Sequence, residues 1–530
     1  MTAISPMRSD LPGVELGGST VPAFVLRHAA RLGGKPALVD ATTGRTITYR
    51  ALAAGVERIA AALAGRGFVP GDVLALYCPN VPEYAVVAYG AMTAGVTVTG
   101  ANPLFTVAEL AGQLTDSGAR MLVTVPPFLD RARAAAAKAG VAEVVVIGEG
   151  PGATPLRDLI DHRLPPAHPV LDPEHTTAAL PYSSGTTGLP KGVTLTHAGL
   201  VTHARQCLAV LDFREDDVVM AVAPFFHALG CNVVLPGSLA AGATLVMTAR
   251  FELAAFLQAI QQHRVTLTIV VPPIALALAT HPLVDEHDLS SLRALGVGAA
   301  PLSADVEQRC ADRLGCLVSQ GFGMTEAGAM ITGGPLDTPR RGSSGRLLPG
   351  TEARIVDPHS HTDLGAGRPG ELWVRGPQLM RGYHDRPQET AETIDAEGWL
   401  HTGDLCYFDE DGYLYVVDRL KELIKYRGYQ VAPAELEHLL LTHPAVADAV
   451  VVPRPDPEAG EVPVAHVVLR APATAEDLLA YVAERVAPYK RLRAVRFTDS
   501  VPRSPAGKLL RRVLVDAERA APAHSASTGG

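Results

Sequence analysis

Over roughly its first 400 residues the chain alternates short β-rich runs with amphipathic helical stretches, and that alternation favours parallel sheets covered by helices. Residues 46–49 read as a strand. Residues 50–64 follow with apolar side chains at helical spacing (Leu52, Val56, Ile59, Ala60, Leu63) and stop at Gly65 and Gly67. Further strands are predicted at 73–77, 96–99, 121–125, 143–147, 218–222, 244–247 and 292–298, with a helix over 82–94. A single core stops growing at about 250–300 residues, so 530 residues require at least two domains.

The texture then changes twice. Residues 345–417 hold short strands (352–356, 370–374, 414–417) between Gly, Pro and Asp turns, the pattern of a small antiparallel or barrel-like subdomain. After Asp418-Arg419, two amphipathic helices (433–442, 475–486) alternate with strands (447–452, 463–469). The predicted fold is therefore α/β. Residues 1–418 form a large N-terminal domain of two helix-covered, mostly parallel sheets with the barrel-like subdomain at 345–417. Residues 419–530 form a small α+β C-terminal domain whose tail beyond about residue 516 is expected to be disordered.

Charge narrows the function. Lys and Arg total 46 against 55 Asp and Glu, a net of −9, which excludes a global nucleic-acid footprint. From Arg419 onward 16 basic residues face 13 acidic ones, a net of +3 against −12 for the remainder, so the small domain is the better place to meet anions. The longest uncharged run, 265–281, is split by Pro272-Pro273 and reads as a strand feeding a helix, so no stable membrane insertion is expected. Six scattered cysteines without a CxxC pair, and an N-terminus lacking a basic-then-apolar leader, point to reduced thiols in a cytoplasmic protein.

The most informative segment is Pro181-Tyr-Ser-Ser-Gly-Thr-Thr-Gly-Leu-Pro-Lys-Gly-Val193. Glycines such as Gly185 let backbone N–H groups approach phosphate oxygens. Ser183, Ser184, Thr186 and Thr187 add hydroxyl donors, and Lys191 adds a charge. It is a phosphate cradle in composition. It is not a Walker A loop, because Pro190 precedes the lysine and Gly192 follows it; a strand–GxGxxG–helix fingerprint and a nucleophile elbow are likewise missing.

This loop resembles the signature of the adenylate-forming superfamily of acyl-CoA synthetases, peptide-synthetase adenylation domains and firefly-type luciferases, with the likeness closest to the 4-coumarate/cinnamate:CoA ligase branch. Further segments follow in the same order: Pro224-Phe-Phe-His227, Gln320-Gly-Phe-Gly-Met-Thr-Glu-Ala327, Gly398-Trp-Leu-His-Thr-Gly-Asp404, a run from Asp418 to Glu437, and Pro502-Arg-Ser-Pro-Ala-Gly-Lys508. The likeness spans roughly residues 20–515. It implies a two-step reaction in which a carboxylate attacks the α-phosphate of Mg-ATP and coenzyme A then displaces AMP. The substrates implied are a small carboxylic acid, ATP and coenzyme A, the metal is Mg²⁺, and the chain is expected to work as a monomer or homodimer.

The resemblance also implies roles. Lys508 is the lysine bridging carboxylate and α-phosphate; Lys425 and Gln430 contact phosphate and acyl group. Gln320, Gly321, Phe322 and Thr325 line the nucleotide, Asp404 accepts from the ribose hydroxyls and Arg419 donates nearby. Glu326, with Thr187, is the Mg²⁺ ligand. Phe322 replaces a common tyrosine and keeps the flat face. His227 lies by the acyl carboxylate, and Phe226, Leu229, Gly298, Ala299, Gly323, Gly328 and Gly333 shape the acyl pocket. Arg250, Arg427 and Gly428 meet coenzyme A, with Arg427-Gly428-Tyr429 in place of Lys-Gly-Phe. Lys421 is the hinge about which the small domain swings between half-reactions.

After His227, Ala228-Leu229 stands where plant 4-coumarate ligases tend to carry Ile-Tyr, removing an aromatic hydroxyl, and Gly230, Gly298, Gly323 and Gly328 are expected to leave a roomy apolar slot. A cinnamate-like acid is the leading expectation. A medium-chain fatty acid, or a carrier-protein acceptor in place of coenzyme A, stays open, as do a luciferase-like oxygenase and a nucleotide-binding regulator without catalysis.

Overall fold

The computed structural model describes residues 5–160, 165, 168–184, 190–334, 339–427, 429–456, 459–504 and 509–520. Gly185, Thr186, Thr187, Gly428 and Lys508 of the predicted site lie outside them.

Two nine-stranded sheets account for most of the first 350 residues. In the first, Val73–Tyr77 lies between Thr97–Gly100 and Ala119–Thr124, all parallel, with Glu143–Val146 and Thr154–Pro155 beyond. Its other edge turns antiparallel where Pro190–Thr196 joins Thr177–Ala179 and forms a hairpin with Tyr182–Ser184. In the second, Pro36–Asp40, Thr244–Met247, Val218–Ala221, Leu267–Val270, Ala294–Val297 and Leu317–Phe322 run parallel in that order, closed at both edges by antiparallel strands. These central strands are mostly apolar and buried, with Thr268, Ser319 and Gln320 as buried polar exceptions, because helices cover both faces.

The helices expected over 50–64 and 82–94 are found as Tyr49–Gly65 and Pro82–Thr93, and two helices of this region start where a threonine hydroxyl takes an orphan N–H. Thr48 accepts from Ala51 at the head of Tyr49–Gly65, and Thr196 accepts from Gly199 at the head of His197–Leu211. Tyr49–Gly65 and Pro82–Thr93 then pack backbone to side chain: a Cβ on Gly90 would sit 2.5 Å from Ile59 Cβ. No larger residue fits that crossing without parting the helices.

The segment expected to be barrel-like is a five-stranded antiparallel sheet, Glu352–Val356, Gly370–Arg375, Leu400–Phe408 and Leu414–Arg419, with Met7–Arg8 from the N-terminus on its edge. The C-terminal region has its own sheet, built on a long hairpin of Val446–Asp456 and Gly460–Leu469, and its own apolar core around Ile424, Val431, Leu436, Val451 and Leu478. Residues 516–520 were expected to begin a disordered tail. They instead complete the helix Arg511–Ala520, because Glu518 is buried with His466 and Arg496 as ion-pair partners.

The uncharged run resolves into the strand Leu267–Val270 and the helix Pro272–Thr280. Among the described residues no helix is long and apolar enough to cross a membrane. All six cysteines carry free thiols.

Candidate active site

The second sheet ends in glycine and small residues at its carboxyl edge, and there a cavity of about 570 Å³ opens. Such an edge is where open α/β sheets receive ligands, because the strands stop while the flanking loops diverge. Gly298 and Ala299 follow Ala294–Val297, residues 320–322 end Leu317–Phe322, and Phe226 and His227 follow Val218–Ala221. The hairpin of the first sheet brings Ser183 and Lys191 to the same space, and the C-terminal stretch brings Arg419, Lys421, Ser504 and Leu510.

Most predicted residues converge. Ser183, Lys191, Phe226, His227, Leu229, Gly298, Ala299, Gln320, Gly321, Phe322, Gly323, Thr325, Glu326, Gly333, Arg419 and Lys421 all line the cavity. Arg250, Lys425, Arg427 and Gln430 do not; they are exposed. Asp404 and Gly328 stand behind the lining. Of Ser184 only its place in the strand Tyr182–Ser184 is described. Lys508 lies outside the described residues, although Ser504 and Leu510, on either side of it in sequence, border the cavity.

Four polar features give the site its chemistry. First, the Ser183 hydroxyl is buried and has no hydrogen-bond partner among the described residues, so a donor or acceptor from a ligand would complete it. Second, Asp404 and Arg419 face each other across the ladder of Leu400–Phe408 and Leu414–Arg419. Arg419 Nε donates to Asp404 Oδ1 at 3.1 Å, and only 3% of Asp404 is exposed. Third, Glu326 sits in the one-turn helix Thr325–Ala327, and the Tyr383 hydroxyl donates to its Oε1 at 2.8 Å. Lys191 Nζ lies 4.7 Å from the centre of the same tyrosine ring. Burial first, and then the Glu326 charge, push the Tyr383 phenol well above its ordinary range, so it stays a donor. Fourth, Leu229 N–H points at His227 Nδ1 at 3.4 Å. This assigns the acceptor role to Nδ1 and the ring N–H to Nε2. A π-wound turn, Leu229–Val234, begins directly after it.

Sequence reasoning missed Tyr383. Its place arises because Gly382–Tyr383 pairs with Val193 and Thr194, next to the phosphate-type loop yet nearly two hundred residues away in sequence. The neighbouring Tyr182, another lining residue, donates to Asp116 at 2.6 Å, and Arg386 clamps the same carboxylate at 2.9 Å.

Two expectations need correction in detail. Gln320 offers the cavity its backbone rather than its amide. The side chain accepts from Leu302 N at 2.7 Å and donates to Leu302 O at 3.0 Å and to Glu307 Oε2 at 2.8 Å. Turning it toward a ligand would strand those buried groups. Nor do the four small residues all widen the slot. A Cβ would lie 2.2 Å from Pro224 O at Gly230, 1.7 Å from Ala329 O at Gly323, and 3.1 Å from the His203 ring at Gly328. Those glycines answer close backbone approach. Gly298 alone adds space, its nearest neighbour being Leu229 at 3.8 Å. Beside it Ala299 holds a left-handed φ of 71°, a conformation that L-residues adopt rarely and mostly where a site requires it.

The donor set fits a hard cation held mainly by a bound ligand. No cluster of three or more His, Cys, Asp or Glu occurs among the described residues, whereas Glu326 presents one buried carboxylate whose second oxygen no described residue engages.

With this geometry in place, comparison with known proteins is informative. Residues 25–384 match the family model described as AMP-binding enzyme, and residues 435–508 match its C-terminal domain. The chain is 40% identical over 521 residues to 4-coumarate–CoA ligase 3 of Oryza sativa subsp. japonica, covering 96% of this chain and 94% of that protein. It superposes with a TM-score of 0.87 on ATP-bound MatB from Rhodopseudomonas palustris, at 29% identity over 95% of this chain and 99% of that one. A similar match, TM-score 0.87 at 27% identity over 96% and 98% of the two chains, is the anthranilate CoA ligase AuaEII in complex with anthranoyl-AMP.

Proposed function

Because the chain belongs to the AMP-binding enzyme family, we propose that it is an ATP-dependent carboxylate–CoA ligase acting on a cinnamate-like aromatic acid. It forms an acyl-adenylate and pyrophosphate, and then an acyl-CoA thioester and AMP. The observation that carries this reading is one cavity lined both by groups that can bind anions (Ser183, Lys191, Arg419), with the carboxylate of Glu326 for a cation, and by apolar residues (Leu211, Leu229, Ile269, Met330).

A carboxylate is a weak nucleophile and ATP is anionic, so the first barrier is charge repulsion and charge developing on pyrophosphate. Positioning and cations lower it more than a base would. In our reading Phe322 gives the adenine a flat face, and the Asp404 carboxylate, steadied by Arg419, accepts from the ribose hydroxyls. The hydroxyl-rich loop of Ser183, Ser184, Thr186 and Thr187 and the charge of Lys191 receive the phosphates. His227 directs its Nε2–H at the acyl carboxylate. Glu326, with Thr187, would hold Mg²⁺, which when bound offsets phosphate charge. Lys508 joins carboxylate and α-phosphate in the first step.

Lys425, Arg427 and Gln430 are exposed on the C-terminal region, as Arg250 is on the large one. We assign Arg250, Arg427 and Gly428 to coenzyme A, and we assign to Lys421 the hinge that exchanges Arg427 and Gly428 with Lys508 over the same cavity. We propose a cytoplasmic location, with which six free thiols agree, and a monomer or homodimer.

The acyl preference rests on the 40% identical relatives named 4-coumarate–CoA ligases and on the apolar lining residues Leu211, Leu229, Ile269 and Met330. A panel of carboxylic acids in ATP–pyrophosphate exchange, with and without coenzyme A, tests it. Cinnamate-type acids are expected to support exchange and thioester formation. Preference for medium-chain fatty acids would replace the substrate assignment, and exchange without thioester formation on free coenzyme A would replace the acceptor.

A further inference from the structure

The helix His197–Leu211 turns a face toward the cavity wall that the ligase chemistry leaves unexplained. His203, Cys207 and Leu211 are spaced four residues apart, so they share one side of the helix. Leu211 reaches the cavity itself. Cys207 Sγ lies 3.9 Å from Met330 Sδ. His203 is fully buried and uses both ring nitrogens: Nε2 accepts from Met330 N at 3.0 Å, which leaves Nδ1–H to donate to Asn232 O at 3.3 Å. Asn232 in turn donates from Nδ2 to Gly328 O at 2.6 Å. The backbone of 328–330 is thus fastened at both ends through two side chains. Gly328, at φ 78°, presses against the imidazole, where a Cβ would come within 3.1 Å of it.

What this strut fastens is part of the site. Ala329 and Met330 line the cavity, and Glu326 precedes the strut by two residues. Gly323 on the opposite strand end packs so closely on Ala329 O that the segment has no slack on that side. Burial lowers the His203 imidazole to about 4, so the ring is neutral throughout the physiological range and Nε2 keeps its acceptor role. An apolar residue at this position would leave both Met330 N–H and Asn232 C=O buried and unpaired, which is the condition under which a loop moves to find other partners.

We propose that His203 is a positioning residue for acyl selection: through Met330 N–H and, by way of Asn232, Gly328 C=O, it sets the Ala329–Met330 wall and so the size and shape of the acid accepted. The inference rests on the ligase reading above. It adds a residue that touches neither substrate nor nucleotide, and it identifies the back of the cavity as belonging to the helix His197–Leu211.

The test uses the full chain with His203→Gln and His203→Asn, assayed by carboxylate-dependent ATP–pyrophosphate exchange over acids from benzoate to cinnamate size, with thermal unfolding followed in parallel. Glutamine is long enough to keep an acceptor near Met330 N. Asparagine reaches Asn232 O but falls short of Met330 N. For the asparagine variant we expect the KM for the acid to rise about tenfold and the ranking of acids to shift toward bulkier ones, with the KM for ATP unchanged within about twofold. The glutamine variant is expected to stay within about threefold of the parent for every acid. An asparagine variant with an unchanged ranking, or with acid and ATP KM values rising together, would overturn the assignment, as would a glutamine variant that fails as badly as asparagine. Failure of the parent chain to exchange with any acid would overturn the ligase reading, and acyl selection with it. Normal exchange by the parent separates that outcome from failure of His203 alone.

Discussion

The floor of the cavity and the C-terminal residues assigned to the same reaction differ in how their polar groups are held. Gln320, Glu326 and Asp404 are 5%, 6% and 3% exposed, and each is fixed by a neighbour: Glu307 and Leu302, Tyr383, and Arg419. Lys425, Arg427 and Gln430 are exposed and away from the lining. A buried carboxylate with a partner is ready for a nucleotide without reorganisation, the condition under which electrostatic stabilisation is most effective. An exposed lysine on a long stem has to be brought to its substrate. In our reading the fold prepares the nucleotide end and leaves the rest of the reaction to residues that arrive.

The sharpest way to break that contrast is Lys508→Ala. It should lower acyl-adenylate formation by about 10²–10³-fold, the order of loss when one group that stabilises transition-state charge is removed. Coenzyme A transfer to supplied acyl-adenylate should stay near the parent rate. ATP–pyrophosphate exchange and a thioester assay started from acyl-adenylate separate the two, and full exchange by the variant would remove Lys508 from the first step.

Next in size is Tyr383→Phe, which deletes only the hydroxyl on Glu326. A hydrogen bond to a charged group contributes about 1.5–3 kcal/mol, so kcat/KM for Mg-ATP is expected to fall about 10–100-fold while the ring beneath Lys191 is kept. A fall confined to the acid's KM would mean that Tyr383 serves the acyl end instead. Lys421→Pro asks about the other half. If Lys421 absorbs the domain swing, thioester formation should drop by about tenfold or more with adenylation largely retained, since proline fixes φ where a hinge must turn. Equal losses in both half-reactions would argue against a hinge there.

A smaller effect compares two glycines of the floor. Gly298→Val should place methyls in open space and raise the KM for bulky acids a few-fold with little change in unfolding temperature. Gly323→Ala should instead destabilise the fold, because its Cβ would fall 1.7 Å from Ala329 O. Unfolding curves and acid KM values for the pair distinguish a glycine that makes room from one that permits contact.

These contrasts mark what was legible in the sequence. Strand–helix alternation and apolar spacing mark the helix Tyr49–Gly65, expected over 50–64, because those signals are local. The hydroxyl–glycine loop stood out by its residue types, whereas Glu326, Asp404 and Arg419 entered through the family resemblance of the motifs that hold them. Tyr383 and His203 did neither, since each matters through a partner far away in the chain: Gly382–Tyr383 pairs with Val193 and Thr194, and His203 receives Met330 N–H. Side-chain direction was equally hidden. Nothing in the run from Gln320 to Ala327 says that the glutamine amide points back to Leu302 and Glu307.

The last prediction concerns the junction between the two regions. Asp418 is the penultimate residue of the strand Leu414–Arg419, is 6% exposed, and accepts from Ala434 N at 2.9 Å at the head of the helix Pro433–Leu441 and from Arg419 N at 2.7 Å. Burial is the strongest influence and raises its carboxyl to about 6, against the pull of those two N–H groups and of Arg511 and with a push from Glu437. The ordinary value is about 3.9, so the folded chain binds a proton between about pH 4 and 6 that the unfolded chain has released. Stability contributed by this group is therefore greatest below pH 4, falls as pH rises through that window, and is level above it. The fall amounts to at most about 3 kcal/mol. Asp418→Asn can keep an acceptor for Ala434 N and does not titrate, so its stability should be flatter than the parent's between pH 4 and 6, while activity near pH 7.5 stays within about twofold. Denaturant unfolding at pH 4, 5, 6 and 7 reads the difference. Parallel curves for the two chains would mean that Asp418 is solvated rather than sealed, and that the junction is as open as the exposed lysine of Lys425 rather than as closed as the floor beneath it.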